Sequence, residues 1–279
     1  MVNVLKSGFF TTVQDTGRFG YRDKGVPVSG IMDDLTVNQI NGLLENDPKA
    51  AVLEITMTGP TLLFGEATHV VLGGAQMSAT LNNTPIENHK IYAVSEGDIL
   101  SYGKLEKGFR GYLAIKDGFK TDSVLGSKSM FFPVTPTNHI SDGDVLAFDR
   151  DMSFEPKITA FKTEDFLDEN VLDVFKGPEY GILVDKQLER IFSDGFSVSK
   201  ENNRMAYQLQ ETVLGHGHTM LTSATLPGTV QLTPEGRLII LMKDGQTTGG
   251  YPRILQLSKK AIAILAQKKF ADTISFKLV

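Results

Sequence analysis

Short runs of β-branched and aromatic residues, separated by Gly, Asn, Asp and Pro, recur along this chain and limit the folds open to it. Branched and aromatic side chains pack well on a pleated surface, and the residues between the runs favour turns. The sequence therefore predicts a mainly β protein whose short, regularly spaced strands fit a barrel or a sandwich. The clearest candidate strands cover residues 68–72, 91–94, 111–115 and 238–242.

Three segments share one pattern, in which an acidic turn residue leads into an apolar run. The segments cover residues 97–100, 143–148 and 272–276. Because this turn-and-strand pattern occurs in both halves of the chain, it indicates two related barrel-like lobes. The polar, acidic segment 162–170 is the candidate linker, although its composition also fits a binding face. We therefore expect an N-terminal lobe at residues 1–160 and a C-terminal lobe at residues 161–279.

Helical patterns are few and short. Asp33 is a suitable N-cap for a helix over residues 34–44, whose apolar positions share one face and which Asn46-Asp47-Pro48 would end. Similar start signals predict helices over residues 185–192 and 258–267. We therefore expect helices only at the periphery of the β structure.

Composition excludes several classes of protein. The formal net charge is −5 and no dense cluster of lysine and arginine occurs, so we expect no nucleic-acid partner. The chain has no cysteine, which excludes disulfides, a thiolate nucleophile and thiolate metal ligands. The N-terminus lacks the long apolar run of a secretory signal, and no stretch has the length needed to span a bilayer. We expect a cytoplasmic protein with no membrane partner.

Two short motifs suggest familiar chemistry without completing it. His216 and His218 would lie on one side of a strand, but no third ligand accompanies them, so we expect no metal site. Residues 126–129, GSKS, lack the spacing of a nucleotide-binding P-loop. If ATP is used, its binding elements are therefore expected in a partner protein.

Residues 246–253, QTTGGYPR, place polar, flexible and cationic groups between two apolar segments. The consecutive Gly249 and Gly250 permit close approach of a ligand, and the proline that follows fixes the backbone. Arg253 supplies a planar fork suited to a carboxylate or a phosphate. The same residues also fit an ordinary β-turn with a surface arginine. The other hydrogen-bonding members are Gln246, Thr247, Thr248 and Tyr251.

A second polar segment covers residues 13–33 and is rich in glycine. Polar side chains in such irregular sequence can converge on a cleft. They can equally stabilise turns: Asp15 could close an Asx-turn with Gly17, and Arg18 could pair with Asp33. The polar members of interest are Asp15, Arg18, Tyr21, Arg22, Ser29 and Asp33.

Glu54 lies between Leu53 and Ile55 in a run that otherwise has the character of a buried strand. A buried carboxylate needs a partner. Glu54 therefore either pairs with an arginine that holds the structure together or lies at a site that shifts its proton affinity.

These segments together resemble the family of biotin-dependent carboxyltransferase A/B proteins, and the resemblance covers most of the chain. Members include the C component of 5-oxoprolinase, the antagonist of the sporulation kinase inhibitor, and part of the carboxyltransferase region of urea carboxylase. The resemblance implies two cyclophilin-like β-barrel domains with a few short peripheral helices. The motifs that carry it are QDxGRxGYR at 14–22, GVPxSGxMD at 25–33, LEIT at 53–56, GPT at 59–61 and QTTGGYP at 246–252.

The resemblance implies three functions. The first is a component of an ATP-dependent 5-oxoprolinase that opens a cyclic lactam to glutamate with a B-type and an A-type partner; Arg253 or Arg18 would hold the substrate carboxylate. The second is the acyl-acceptor part of a carboxyltransferase, which would need biotin on another protein. The third is a regulatory protein that binds a kinase-inhibitor partner without chemistry.

The candidate residues follow from the same resemblance. Threonine and glutamine donors would polarise the amide carbonyl or stabilise an oxyanion. The catalytic candidates are Gln246, Thr247, Thr248, Arg253, Asp15 and Arg18. The substrate-binding candidates are Gly249, Gly250, Tyr251, Tyr21, Ser29, Asp33, Glu54 and Arg204.

The chain departs from the family pattern around Arg204. Members commonly carry DRMG followed by an apolar residue and an arginine, whereas this chain has Asn203, Ala206 and Gln208 at the corresponding positions. Loss of a carboxylate and a cation together would remove an ion pair or a ligand contact. The departures indicate a divergent branch of the family.

Overall fold

The computed structural model of the protein describes residues 1–157 and 166–279. These residues form two compact units. The first comprises Met1–Arg18 and Ser29–Leu167, and the second comprises Phe19–Val28 and Asp168–Val279. The expected boundary at residues 160 and 161, and the linker residues 162–165, lie outside the described residues. The second unit includes Phe19–Val28, which the expected division places in the first lobe.

Among its described residues, the first unit contains one helix and eleven strands arranged in two sheets. The six-stranded sheet has the order β11-β1-β4-β9-β6-β7, and the five-stranded sheet has the order β2-β3-β10-β5-β8. The helix is α1 (Asp34–Leu43). The strands are β1 (Val2–Lys6), β2 (Phe10–Gln14), β3 (Val52–Thr56), β4 (Thr61–Phe64), β5 (Thr68–Gln76), β6 (Thr80–Leu81), β7 (Thr84–Pro85), β8 (Ile91–Val94), β9 (Ile99–Ser101), β10 (Lys107–Ile115) and β11 (Val145–Leu146).

The core of the first unit lies between its two sheets. Val2 and Phe64 enter it from the six-stranded sheet, and Leu53 and Leu113 enter it from the five-stranded sheet. Because successive side chains of a strand point to opposite faces, one face of each sheet builds this core. The opposite face of the five-stranded sheet is covered by α1, so β3 is buried along its whole length. This double burial explains the continuous apolar run around Glu54.

Helix α1 begins at the expected cap. The Asp33 carboxylate accepts hydrogen bonds from the Thr36 backbone N–H at 3.0 Å and from the Thr36 hydroxyl at 2.7 Å. These bonds satisfy a donor that the first helical turn leaves free. The helix lies close to β5, because a Cβ on Gly73 would be only 2.7 Å from the Ile40 side chain. A glycine at this position therefore sets the distance between helix and sheet.

The second unit contains a closed seven-stranded barrel with the order β12-β19-β16-β17-β14-β13-β20, together with a two-stranded ribbon of β15 and β18. Strands β12 and β20 pair in parallel, and the other neighbours in the barrel are antiparallel. Closure leaves no free strand edge in the barrel. The strands are β12 (Val171–Lys176), β13 (Phe196–Asn202), β14 (Ala206–Thr212), β15 (Ser223–Ala224), β16 (Thr229–Leu232), β17 (Arg237–Leu241), β18 (Thr248–Gly249), β19 (Arg253–Leu257) and β20 (Thr273–Leu278).

Two helices accompany the barrel, α2 (Asp185–Ser193) and α3 (Lys259–Ala266). Helix α3 contacts β12 and β19 and buries Ala261, Ala263, Ile264, Leu265 and Ala266. The Ser258 hydroxyl caps it by accepting a hydrogen bond from the Ala261 backbone N–H at 3.1 Å. A short 3₁₀ turn, Arg22–Lys24, also belongs to this unit.

The structure confirms the mainly β class and the three expected helices. The four candidate strands also form, as parts of β5, β8, β10 and β17, although β17 ends at Leu241, one residue before the expected end. Each of the three turn-and-strand segments leads into a strand, namely β9, β11 and β20. No helix within residues 1–157 or 166–279 is both long and apolar enough to cross a membrane.

We expect Ser258→Ala to lower the free energy of unfolding of the second unit by about 1 kcal/mol, because the Ala261 N–H loses its acceptor. Ser258→Asp keeps an acceptor and should retain the original stability. Urea denaturation followed by circular dichroism would measure both. Equal stability of the alanine variant and the original protein would exclude the capping role.

Candidate functional site

Glu54 lies at the centre of a buried polar cluster in the first unit. Its side chain is 1% exposed, and its Oε2 accepts hydrogen bonds from the Met32 backbone N–H at 2.8 Å and from the Tyr112 hydroxyl at 3.0 Å. Its Oε1 lies 3.8 Å from Nε of Arg110, which is equally buried. Of the two roles expected for this carboxylate, pairing with an arginine is the one that the structure places there.

Tyr112 connects this carboxylate to the start of α1. Its hydroxyl oxygen accepts a hydrogen bond from the Asp33 backbone N–H at 3.0 Å while the hydroxyl donates to Glu54. Burial, and then the nearby charges of Glu54 and Asp33, raise the pKa of Tyr112 well above its ordinary value. The phenol therefore stays protonated and keeps donating to the carboxylate.

Asp15 is held by hydrogen bonds that saturate its carboxylate. Its Oδ1 accepts from the Gly17 backbone N–H at 2.8 Å, which is the expected Asx-turn, and from the hydroxyls of Ser127 and Ser129 at 2.6 and 2.7 Å. Its Oδ2 accepts from the Lys128 backbone N–H at 2.7 Å. The GSKS segment therefore binds this carboxylate of the same chain.

Arg18 and Ser29 are also buried in the first unit. The Arg18 guanidinium is 1% exposed and donates to the Ser129 carbonyl. Ser29 has a left-handed backbone, with φ of 55°, and its fully buried hydroxyl has no hydrogen-bond partner within the described part of the chain. Gly30 packs against Gly17, since a Cβ on Gly30 would be 2.8 Å from the Gly17 nitrogen. Strain and an unpaired hydroxyl keep Ser29 a candidate, whereas Arg18 is bound to protein.

The first unit also has a cavity of about 420 Å³, within the range usual for small-molecule sites. Its charged lining residues are Glu87 and Glu106, and neither lysine nor arginine is among the described residues that line it. The buried Tyr102 hydroxyl, which also lines it, has no hydrogen-bond partner among the described residues. None of the sequence-predicted site residues lies in the described part of this wall. Its chemistry fits a neutral or cationic ligand better than an anion.

The QTTGGYPR segment lies in the second unit, where part of it forms the ribbon with β15. Thr248 pairs with Ala224 in this ribbon. The segment is fixed further by Thr225, whose backbone N–H donates to the Thr247 carbonyl at 3.0 Å and whose hydroxyl donates to the Gln246 carbonyl at 2.5 Å. Thr247 is buried. The exposed members are Gln246, Thr248, Gly250 and Tyr251.

Arg253 is paired with a carboxylate of the same unit. Its Nη2 lies 2.7 Å from Oε1 of Glu179 and its Nε lies 2.9 Å from Oε2, while Nη1 donates to the Ala224 carbonyl at 2.5 Å. Hydrogen bonding between the two side chains lowers the pKa of Glu179 and raises that of Arg253. The fork expected to hold a substrate anion is thus bound to Glu179, which lies 74 residues away in sequence.

Gly249 lies against two side-chain amides. A Cβ at this position would be 2.4 Å from Nε2 of Gln231 and 2.8 Å from Nε2 of Gln246. Gln231 is 1% exposed, and its Nε2 has no hydrogen-bond partner among the described residues. The absence of a side chain at Gly249 therefore leaves room for two amide donors.

Arg22 reaches the same ribbon from the 3₁₀ turn. It is partly buried, and its Nη2 donates to the Thr225 carbonyl. Burial lowers the pKa of Arg22. The neighbouring Tyr21 instead contacts the Lys24 ammonium, which lies 5.6 Å from its ring centroid. The sequence places Arg22 among the polar residues of segment 13–33, but Arg22 is not among the catalytic or substrate-binding candidates.

Arg204 forms a buried, bidentate ion pair with Asp244, at 2.8 and 3.1 Å. The departures beside it keep hydrogen bonds of their own. Asn203 Oδ1 accepts from the backbone N–H groups of Met205 and Ala206 at 2.7 and 3.1 Å, as an aspartate could. Arg204 therefore stabilises the turn before β14.

The two histidines that the sequence singled out lie side by side. The rings of His216 and His218 are stacked, with centroids 5.8 Å apart. Within residues 1–157 and 166–279, no group of three or more His, Asp or Glu side chains is arranged to hold a metal ion.

We expect Tyr112→Phe to lower the free energy of unfolding by about 1–3 kcal/mol, because the change removes one donor from buried Glu54 and leaves the Asp33 N–H without an acceptor. Tyr92→Phe is the matched control, since its hydroxyl accepts an exposed hydrogen bond from Glu87. Chemical denaturation would compare the two. A loss no larger than that of the control would show that the bridge contributes nothing.

We expect the stabilisation supplied by Glu179 to depend on pH. Its pKa is lowered in the folded state, so the stabilisation is complete above the unfolded value of about 4.3 and is lost as pH falls through the folded value. The stability difference between the original protein and Glu179→Gln should therefore be present at neutral pH and shrink in acid. Thermal denaturation from pH 7 to pH 3 would measure it.

Glu169→Gln is the control for that series, because Glu169 pairs with Lys260 in a more exposed ion pair at 3.0 Å. Such pairs contribute little, so this variant should differ from the original protein by less than about 1 kcal/mol throughout. A constant difference for Glu179→Gln across the range would contradict the expectation.

Comparison with known proteins gives matches along nearly the whole chain. The family model "Carboxyltransferase domain, subdomain A and B" matches residues 24–278. The C component of the 5-oxoprolinase of Escherichia coli is 31% identical over 99% of this chain and 90% of its own length. The protein of the same name from Haemophilus influenzae is 30% identical over 100% of this chain and 91% of its own length.

In the other matches, only part of this chain or only part of the relative is covered. The urea amidolyase of Lachancea kluyveri is 43% identical, but over 46% of this chain and 7% of its own length. Among solved structures, TTHA0988 has a TM-score of 0.90 and 26% identity over 99% of this chain, which spans 55% of TTHA0988. The urea carboxylase of Kluyveromyces lactis has a TM-score of 0.87 and 29% identity over 99% of this chain and 27% of its own. Family model, full-length relatives and fold agree: the chain belongs to the carboxyltransferase domain, subdomain A and B, family.

Proposed function

We propose that this chain is the C component of an ATP-dependent 5-oxoprolinase complex, which hydrolyses 5-oxoproline to glutamate with B-type and A-type partners. One observation carries the proposal. The two relatives that match along 99–100% of this chain, and along 90–91% of themselves, both bear the name of the C component of 5-oxoprolinase. A match over both full lengths supports the same role better than a match to a fragment.

The chemistry of the second unit supports a substrate that carries a carboxylate. The ribbon brings arginine side chains and exposed amide and hydroxyl donors close together, and Gln246 and Thr248 are its accessible donors. Such donors can polarise an amide carbonyl or stabilise an oxyanion that forms on it. The substrate's lactam would contact these groups, while Arg253 would position the ribbon through Glu179.

ATP is proposed to act through a partner. The GSKS segment, the part of the chain nearest in composition to a phosphate-binding loop, is occupied in holding Asp15. Asp15 and Arg18 accordingly serve to shape the first unit in this proposal, and we assign them no contact with the substrate.

Carboxyl transfer is the second candidate, and the family description together with the likeness to the Kluyveromyces lactis urea carboxylase favours it. In that function the same amide and hydroxyl donors would stabilise an enolate or ureido oxyanion. Biotin would be carried by another protein.

Reconstitution tests the proposal. The chain is combined with its co-purified B-type partner and an A-type partner, and ATP hydrolysis and glutamate release are measured with 5-oxoproline, with each component omitted in turn. We expect turnover only when all three are present. Full turnover without this chain would refute the proposal. A stable complex that lacks turnover but accepts carboxyl from carboxybiotin would favour the second candidate, and tight binding with neither activity would favour a regulatory role.

A further inference from the structure

The Arg22 side chain has the features expected of an anion-binding group. Its guanidinium is partly buried, and burial is the one influence that lowers its pKa. Among the described residues no carboxylate pairs with it, and its one hydrogen bond goes to the Thr225 carbonyl. Taking a guanidinium out of water without an opposite charge is costly, so the site gains when an anion binds.

A second arginine reaches the adjacent residue of the same ribbon. Arg253 donates to the Ala224 carbonyl, and Arg22 donates to the carbonyl of the next residue, Thr225. Glu179 neutralises Arg253 through two hydrogen bonds. The two arginines and one glutamate leave a single positive charge, which matches a ligand with one negative charge. A phosphate ligand with two negative charges would exceed this single positive charge.

Neutral donors lie against Gly249 of β18, the strand that pairs with β15. The exposed Gln246 presents its Nε2 beside Gly249, and the unpaired Nε2 of buried Gln231 faces the same glycine. A buried donor without a partner is unfavourable unless a ligand satisfies it. Such amide donors suit the carbonyl oxygen of a ligand, next to the charge that suits its carboxylate.

We propose that Arg22 binds the carboxylate of a small monocarboxylate ligand at the β15–β18 ribbon, with the Gln246 and Gln231 amides directed at the ligand's amide carbonyl. Arg22 supplies the charge, and Gly249 keeps the space open. The identity of this ligand as a lactam carboxylate rests on the proposed function; the carboxylate site itself rests on the contacts of Arg22.

Direct binding tests the site in the full chain. Calorimetric titration with 5-oxoproline is compared with titration by pyrrolidin-2-one, which has the lactam without the carboxylate. We expect Arg22→Gln to weaken 5-oxoproline binding about 10- to 100-fold, as expected for loss of a charged hydrogen bond, and to leave pyrrolidin-2-one binding unchanged. Lys24→Gln removes the same charge from the same turn, at an exposed side chain that contacts the Tyr21 ring, and should bind as the original protein does.

Gly249→Ala provides a second, independent variant. Its backbone is not in the left-handed region, and the added methyl meets the flexible ends of two side chains, so the fold should survive. Displacement of the amides should weaken binding of both ligands. Absence of 5-oxoproline binding by the original chain, or equal binding by Arg22→Gln, would overturn the proposal.

Turnover of the reconstituted complex separates this proposal from the proposed function. A rise in KM for 5-oxoproline with Arg22→Gln, at unchanged ATP affinity, is expected if both hold. If the complex turns over and Arg22→Gln leaves its KM for 5-oxoproline unchanged, the oxoprolinase function is retained and the proposed Arg22 site is refuted. Carboxylate binding that depends on Arg22, in a complex without turnover, would retain the site and refute the oxoprolinase function.

Discussion

A buried carboxylate must find donors, and this requirement organises the polar interior of both units. Asp15 accepts from four donors, one in the neighbouring Gly17 and three in the distant segment 127–129. Glu54 accepts from the Tyr112 hydroxyl and the Met32 backbone and lies beside Arg110. Each carboxylate joins segments that are far apart in the sequence. Removal of one hydrogen-bond partner would leave a charge in a protein interior that solvates it poorly. Clusters in which every polar group is hydrogen-bonded are therefore rigid.

The polar residues fall into two kinds, according to whether their hydrogen-bonding groups and charges have partners. Asp15 and Arg204 have saturated hydrogen-bonding groups and act as structural ties. Arg22 and Gln231 keep a polar group with no partner of complementary charge or hydrogen bonding among the described residues. A binding site is better recognised by buried polar groups that have no hydrogen-bond partner or opposite charge than by the number of its polar side chains.

Local signals were predictable from the sequence, and long-range pairings were not. The Asp33 cap and the Ser258 cap depend on residues three positions apart, and both formed as expected. The pairing of Arg253 with Glu179 joins residues 74 apart, and nothing in QTTGGYPR indicates that its arginine is already bound. The cavity of the first unit was missed for the same reason, because its wall is assembled from several separate segments. The predicted site residues are not one set: Asp15, Arg18, Ser29, Asp33 and Glu54 belong to the first unit, and Tyr21, Arg204 and residues 246–253 to the second.

The chain enters the second unit at Phe19, leaves it after Val28 and returns at Asp168. The second unit is therefore discontinuous in sequence, although its barrel is built wholly from later residues. A single cut anywhere between Val28 and Asp168 yields a C-terminal fragment that has the barrel and QTTGGYPR but not Arg22. A fusion that preserves both halves keeps the arginine with the ribbon. The segment Phe19–Val28 therefore gives this chain a physical reason to keep its two units on one polypeptide.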